Sequence, residues 1–344
     1  MENENASARG TVFVQTNEEG QNHVLVFGRS ADGALSGPAR VATGGRGDGV
    51  PHLTSQGSVV LTGDGRHLLV TNAGSNDVSV FSARDGDLSL VATVPSDGEA
   101  PKSIAEHVGL VYVLNAGSAS LVGFRLAEDG LERLAGSEGA VGAGADPAQV
   151  GFAPDGSRLI VTDRGTNSIV VYSVEADGRL GDAATSPSSG PTPYGFAFGR
   201  GGTLVVTEAF GAEKGKAAAS SYRVAGKTVE PVSRSIGNGR SEICWAVVTA
   251  DGRYAFTTNF ADGAVSCYAI ADDGSITLEN PVAGAAVEGR PGLRDEDLTS
   301  DGRFLYAVDT DGGKIVGWAV EGGRLSALGS WNGLPRTAAG LAAS

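Results

Sequence analysis

Arg294 and Asp295 are neighbours in the segment Gly292-Leu293-Arg294-Asp295-Glu296-Asp297. A carboxylate can take a proton from water while a guanidinium beside it holds an anion or steadies a developing oxyanion. Lys102 and Arg336 add two cations able to clamp a substrate carboxylate, arginine through a planar fork and lysine as a point charge. Glu208 is a second candidate base, because glutamate is a poor turn former yet it ends the apolar run Leu204-Val205-Val206-Thr207. It also opens the long stretch from Ala209 to Ser220, whose Phe210 is placed to cover a ligand. His52 is the histidine expected nearest the same place, while His67 and His107 fall at the opposite end. Gln149, Tyr194, Trp245 and Cys244 complete a polar and aromatic lining, with no histidine expected close enough to Cys244 to make it a nucleophile.

These residues are scattered over more than two hundred positions, so a repeating scaffold must gather them. Asp-Gly turns occur at Asp32, Asp85, Asp129, Asp177 and Asp273, with degenerate versions at Ala225-Gly226 and Gly322-Gly323. A second series ends apolar runs at Asn17, Asn72, Asn115, Asp163, Glu208, Asn259 and Asp309. Both series have seven members spaced 43 to 55 residues apart. One unit, from Val150 to Leu180, divides into short β-branched runs broken by Pro154-Asp155-Gly156, Gly165 and Asp177-Gly178, the pattern of antiparallel hairpins. Four strands per unit of this length is a propeller blade.

The expected fold is therefore all-β, a seven-bladed β-propeller with four antiparallel strands per blade. The chain begins directly on a second-strand pattern, Thr11-Val12-Phe13-Val14, and Pro335 to Leu341 stands in phase with Pro147 to Phe152. The C-terminus is thus expected to supply the missing inner strand of the first blade. Residues 1–10 are expected as a disordered tail and 11–344 as a single domain. In this register the inner strands open near Ser58, Ser103, Gln149, Tyr194, Trp245, Asp295 and Thr337, and the row from Asn17 to Asp309 points toward the same mouth.

The units Ala153-Pro154-Asp155-Gly156-Ser157-Arg158-Leu159-Ile160-Val161-Thr162 and Ser300-Asp301-Gly302-Arg303-Phe304-Leu305-Tyr306-Ala307-Val308 resemble those of the lactonase family of seven-bladed propellers. That family includes 6-phosphogluconolactonase-like and carboxymuconate-lactonising enzymes. The resemblance runs from about Thr11 to Leu341, is closest to a divergent branch, and implies action on a lactone or its open hydroxy acid, as hydrolysis or the reverse cyclisation. Family members carry histidines where the fourth inner strand opens; Asp146-Pro147-Ala148-Gln149 has none. The alternatives are a propeller that binds small molecules or proteins without chemistry, and a cyclase or isomerase of specialised metabolism.

Composition narrows the partners. Glycine makes up 53 of 344 residues, against a helical bundle, since interior glycine costs a helix about 1 kcal/mol each. The net charge of −14 repels phosphate, which sets aside nucleic acid and anionic membranes. The expected partner is a small, anionic substrate, the chain a monomer, and no cofactor or metal is called for. Asp309 begins a stretch like a calcium loop, but Val320 occupies the position of its final glutamate. Cys244 and Cys267 fall two strands apart in one blade, roughly 9.5 Å, beyond disulfide reach. The polar, acidic start lacks a signal pattern, so the location reads as cytoplasmic, or secreted if a signal was trimmed.

Overall fold

The repeated turn fixes the blade. In Thr249-Ala250-Asp251-Gly252-Arg253 the Asp251 carboxylate accepts the Thr249 hydroxyl at 2.6 Å and the Arg253 amide at 3.1 Å, and Gly252 at φ +70° donates to the Thr249 carbonyl. The left-handed φ is one that glycine adopts without penalty. Thr299-Asp301-Gly302 and Thr62-Asp64-Gly65 repeat the arrangement. Each such turn sends the chain from an inner strand into the next strand outward.

The structure is a computed structural model describing residues 10–51, 53, 56–84 and 86–344. Among the described residues there are seven antiparallel sheets, six of four strands and one of five. Blade 1 runs outward from Ala339–Ala343 through Gly10–Gln15 and His23–Arg29 to Leu35–Ala42, so a C-terminal strand does close the first blade. Its register pairs Val12 with Ala343 and Val14 with Leu341. The inner strands of blades 2 to 7 are Val59–Leu61, Pro101–His107, Pro147–Phe152, Pro193–Phe198, Ile243–Val248 and Leu293–Leu298. Neighbouring inner strands contact one another around the axis. Residues 1–9 of the expected tail lie outside the described residues, and Gly10 is already paired with Arg29.

The core lies between blades. Seven apolar clusters each join two adjacent blades, for example Tyr112, Leu114, Val150 and Val161 for blades 3 and 4, and Val247, Phe256, Leu305 and Trp318 for blades 6 and 7. Tyrosine hydroxyls reach across these seams, Tyr112 to the Gly178 carbonyl and Tyr306 to that of Gly33, both at 2.6 Å. A buried phenol needs such a partner. Among the described residues no helix is long and apolar enough to cross a membrane.

Candidate functional site

Among the described residues six of the seven inner strands carry a bulge near their start, between Pro147 and Gln149 in blade 4 and between Leu293 and Glu296 in blade 7 for example, while that of blade 2 pairs without one. The bulge shifts the expected ring. The equivalent positions are Ser58, Ser103, Gln149, Gly195, Trp245, Asp295 and Gly340, so blades 5 and 1 present glycines instead of Tyr194 and Thr337. Side chains at this level reach toward the next blade and form a belt. Ser103 accepts the Val150 amide at 3.1 Å, and Gln149 holds both the amide and the carbonyl of Phe196. Gln149, expected to contact substrate, therefore spends its amide on the neighbouring backbone.

Blade 5 has no side chain at its belt position, and Gln56 fills the place from across the axis. Its Nε2 donates to the Ala246 carbonyl at 2.8 Å while its Oε1 accepts the Ala246 amide at 3.1 Å, the pattern of Gln149 on Phe196. A Cβ on Gly195 would collide with this Oε1 and with the Cys244 carbonyl. The lead-in to blade 2 thus bridges the channel to blade 6.

On the side where the inner strands begin, Asp295 is the belt carboxyl. Its Oδ1 accepts the Trp245 indole N–H at 2.6 Å, whereas Oδ2 has no hydrogen-bond partner among the described residues. Burial pushes its pKa up to about 7, against the lowering effects of Trp245 and Arg294. Arg294 lies 3.9 Å over the Phe260 ring and donates through Nε to Thr310 at 2.9 Å, leaving Nη1 buried and unpartnered among the described residues. Burial lowers the guanidinium to about 10, so it remains a cation at neutral pH. Tyr194 and Trp245 stack with ring centroids 4.9 Å apart, and burial raises the Tyr194 hydroxyl well above its ordinary value, keeping it a neutral donor. That hydroxyl also has no partner among the described residues.

The structure separates other expected members from this cluster. Glu208 is fully buried inside blade 5, accepting the Gly190 amide at 2.8 Å, the Ser220 hydroxyl at 2.6 Å and the Ser235 hydroxyl at 2.7 Å. Its strand-end position directs it into its own blade, as Asn72 is directed to Asp77 and Ser79, so it is a structural acceptor and not a mouth residue. The corresponding row is buried throughout: Asn17, Asn72, Asn115, Asp163, Asn259 and Asp309 tie loops and strands together. Arg336 is 76% exposed, with its guanidinium 3.7 Å from Asp311. Lys102 is half-buried at the start of blade 3, and Phe210 is half-buried in a short turn after Glu208. Cys244 is a free thiol raised far above its ordinary value by burial, unfit to ionise as a nucleophile, and Cys267 is free as well. His52 lies outside the described residues.

Sequence reasoning missed Gln56 and Glu296. Glu296 occupies the position held by Val59, Ile104, Val150, Phe196, Ala246 and Leu341 in the other blades, where an apolar side chain seals the seam. It is 3% exposed, neither oxygen has a hydrogen-bond partner of good geometry among the described residues, and burial raises it well above the carboxylate range. Superposing the seven repeats would have exposed it as the one charge in an apolar column. Asp297, next on the strand, is also raised by burial to about 7 and accepts the Leu298 and Ala343 amides at 2.9 Å. Among the described residues no group of three or more His, Cys, Asp or Glu could hold a metal ion.

Seven blades closed by a C-terminal inner strand define a closed seven-bladed propeller. The chain belongs to the lactonase family of 7-bladed β-propellers, which it matches over residues 7–144, 129–209 and 207–337. No curated protein sequence matches it. Among solved structures it is similar to a Pseudomonas aeruginosa periplasmic gluconolactonase, at 17% identity and TM-score 0.72, covering 97% of this chain and 98% of that one. A Bacteroides uniformis protein provisionally assigned as a 6-phosphogluconolactonase gives 16% identity, TM-score 0.71 and coverage of 96% and 99%. A Lactobacillus plantarum protein gives 16%, 0.73, 97% and 99%. Identities this low establish the shared fold.

Proposed function

We propose that this protein hydrolyses a lactone, with Asp295 as the base and Arg294 as its electrostatic partner. The carrying observation is the Asp295 carboxyl itself: one oxygen is fixed by Trp245, the other makes no hydrogen bond of good geometry among the described residues, and its pKa of about 7 suits proton transfer near neutrality. The family and its gluconolactonase relative supply the substrate class. Ionised Asp295 takes a proton from water, and the resulting hydroxide bonds to the lactone carbonyl carbon. The charge on the carbonyl oxygen is met by the Arg294 guanidinium, whose Nη1 has no other partner among the described residues. Collapse breaks the ring C–O bond, and the departing oxygen takes the proton back from Asp295, giving the hydroxy acid. Read in reverse, the same groups lactonise.

Proton release from five- and six-membered lactones, followed by pH-stat titration with Asp295→Asn and Arg294→Ala alongside, tests the proposal. Turnover lost in either variant with folding intact supports it. The competing reading is a binding propeller without chemistry, favoured by the depth of Asp295 and Arg294, 2% and 5% exposed. It predicts no proton release from any lactone.

A further inference from the structure

The belt leaves a second chamber on the far side of Gln56 and Gln149, a cavity of 510 Å³ in the half of the channel where the inner strands end. That volume falls within the usual range of small-molecule sites, roughly 300–1,000 Å³. Its walls include the apolar Val59, Leu61, Ile104, Val150, Phe152 and Leu341 beside a polar lining of similar extent. Its ionisable lining consists of Asp297, Glu296, Glu106 and His107, and no lysine or arginine is among the lining residues. Asp297 is central, since a further cavity of 330 Å³ toward blades 5 and 6 is lined by the same residue and by Leu298. Asp297 is half-buried in the chamber wall, and each of its carboxyl oxygens accepts one backbone amide, from Leu298 and Ala343, which leaves further acceptor capacity on both. Glu296, also in the chamber wall, is almost wholly buried with both oxygens unpartnered among the described residues. Unpaired buried carboxyls are costly and favour an occupant that donates hydrogen bonds.

The chamber has a lateral extension with an identifiable cause. Blade 3 joins its first two strands through Val108-Gly109 alone, while blades 2, 4, 6 and 7 use the five residues 62–66, 153–157, 249–253 and 299–303. Beside the shorter turn lies a groove of 1110 Å³ between blades 2 and 3, which shares Thr62, Gly63, Glu106 and His107 with the chamber. At the turn, Val108 is 89% exposed with its backbone at φ +49°, a conformation β-branched residues rarely hold and one that accumulates at functional sites. Val91 and Leu126 extend the apolar floor.

We infer that this chamber is a binding site for an organic cation, an ammonium group on an apolar body, with the ammonium against Asp297 and the body along the chamber and groove. The site is separate from Arg294 and Asp295 and does not depend on the reaction proposed for them. The chamber offers no lysine or arginine to hold the anionic substrates that Arg294 suits, while the groove beyond it adds Arg66 and Arg84.

Calorimetric titration of the intact chain with phenethylammonium chloride tests this, with phenethyl alcohol and sodium phenylacetate as neutral and anionic matches. The expected result is saturable binding of phenethylammonium at least tenfold tighter than either match. Asp297→Asn should weaken it at least tenfold, and Leu61→Trp, which fills the chamber without touching the carboxyl, should abolish it. Arg294→Ala should leave it unchanged. No saturable binding of the cation, equal or tighter binding of the alcohol or phenylacetate, or full affinity in a folded Asp297→Asn protein would each overturn the inference. Should Asp297→Asn fail to fold, full affinity in a folded Leu61→Trp protein would do the same.

Discussion

Asp251 and Asp295 are carboxyls of one chain displaced in opposite directions. Asp251 sits in an exposed turn where the Thr249 hydroxyl and then the Arg253 amide hold it below its ordinary value. Asp64 and Asp155 are lowered in the same way by Thr62 and Ser157. On the inner strand of blade 7, burial instead raises Asp295, Glu296 and Asp297 together. The turn carboxylates are stabilising and repeated; the inner-strand carboxyls are concentrated in one blade and strain the fold when ionised. A propeller repeats its structural chemistry seven times, so departures from the repeat mark where function is placed.

Asp295→Asn gives the largest expected contrast. Turnover should fall at least ~100-fold, the usual worth of a general base, measured by proton release. Stability should move the other way. The folded pKa of Asp295 lies above the unfolded value, so between pH 4 and 7 the native state holds the extra proton, and this group's contribution falls as pH rises across that window. A rise from 3.8 to about 7 corresponds to roughly 4 kcal/mol at most. The variant should therefore lose part of the decline in melting temperature between pH 4 and 8 and melt higher at pH 8. Retained turnover would end the proposed role, and an unchanged slope would end the contrast with the turns.

Glu296→Val restores the apolar residue that blades 2 and 4 carry as Val59 and Val150. Removing a buried carboxyl with unpartnered oxygens should stabilise the protein by about 1–3 kcal/mol in urea at pH 7. A loss of stability would mean that Glu296 is engaged as firmly as the turn carboxylates.

Asp251→Ala should act with the opposite sign and less force, costing about 1 kcal/mol at pH 7 for the lost turn hydrogen bonds. The folded pKa here lies below the unfolded one, so the contribution is present above pH 4 and lost as pH falls through the depressed value. Wild type and variant should converge near pH 2 to 3 in chemical denaturation. A gap that persists there would assign the effect to turn geometry and not to charge.

The blades were legible because they repeat: the Asp-Gly turns at Asp32, Asp129, Asp177 and Asp273, and strand ends at Asn72 or Asn259, read directly from spacing. Closure by the C-terminus was legible for the same reason, through the phase of Pro335 to Leu341. Of the candidate cluster, Arg294, Asp295 and Trp245 stand where the repeat register put them. A bulge at the start of the blade 5 inner strand moved Tyr194 off the belt and put Gly195 there, and no sequence pattern reveals a bulge of that kind. Gln56 was invisible because its partner Ala246 is 190 residues away and bonds through backbone, which carries no residue signature. Glu208 misled because its unusual type suggested a base, whereas its extra length serves to reach Ser235 on the outer strand.

Trp245→Phe gives the smallest and sharpest test. The indole N–H is the leading influence that opposes burial at Asp295, and the phenyl ring keeps most of the stacking surface against Tyr194 while removing the donor. A hydrogen bond to a charged carboxylate is worth about 1.5 kcal/mol or more, roughly one pH unit. The alkaline-rising limb of the pH–rate profile should therefore move from near 7 to near 8, with little change in the plateau rate. An unmoved midpoint would show that burial alone poises Asp295. A downward shift would show that the indole had been favouring the neutral acid, which would place Asp295 with the proton donors and reverse its assignment as the base.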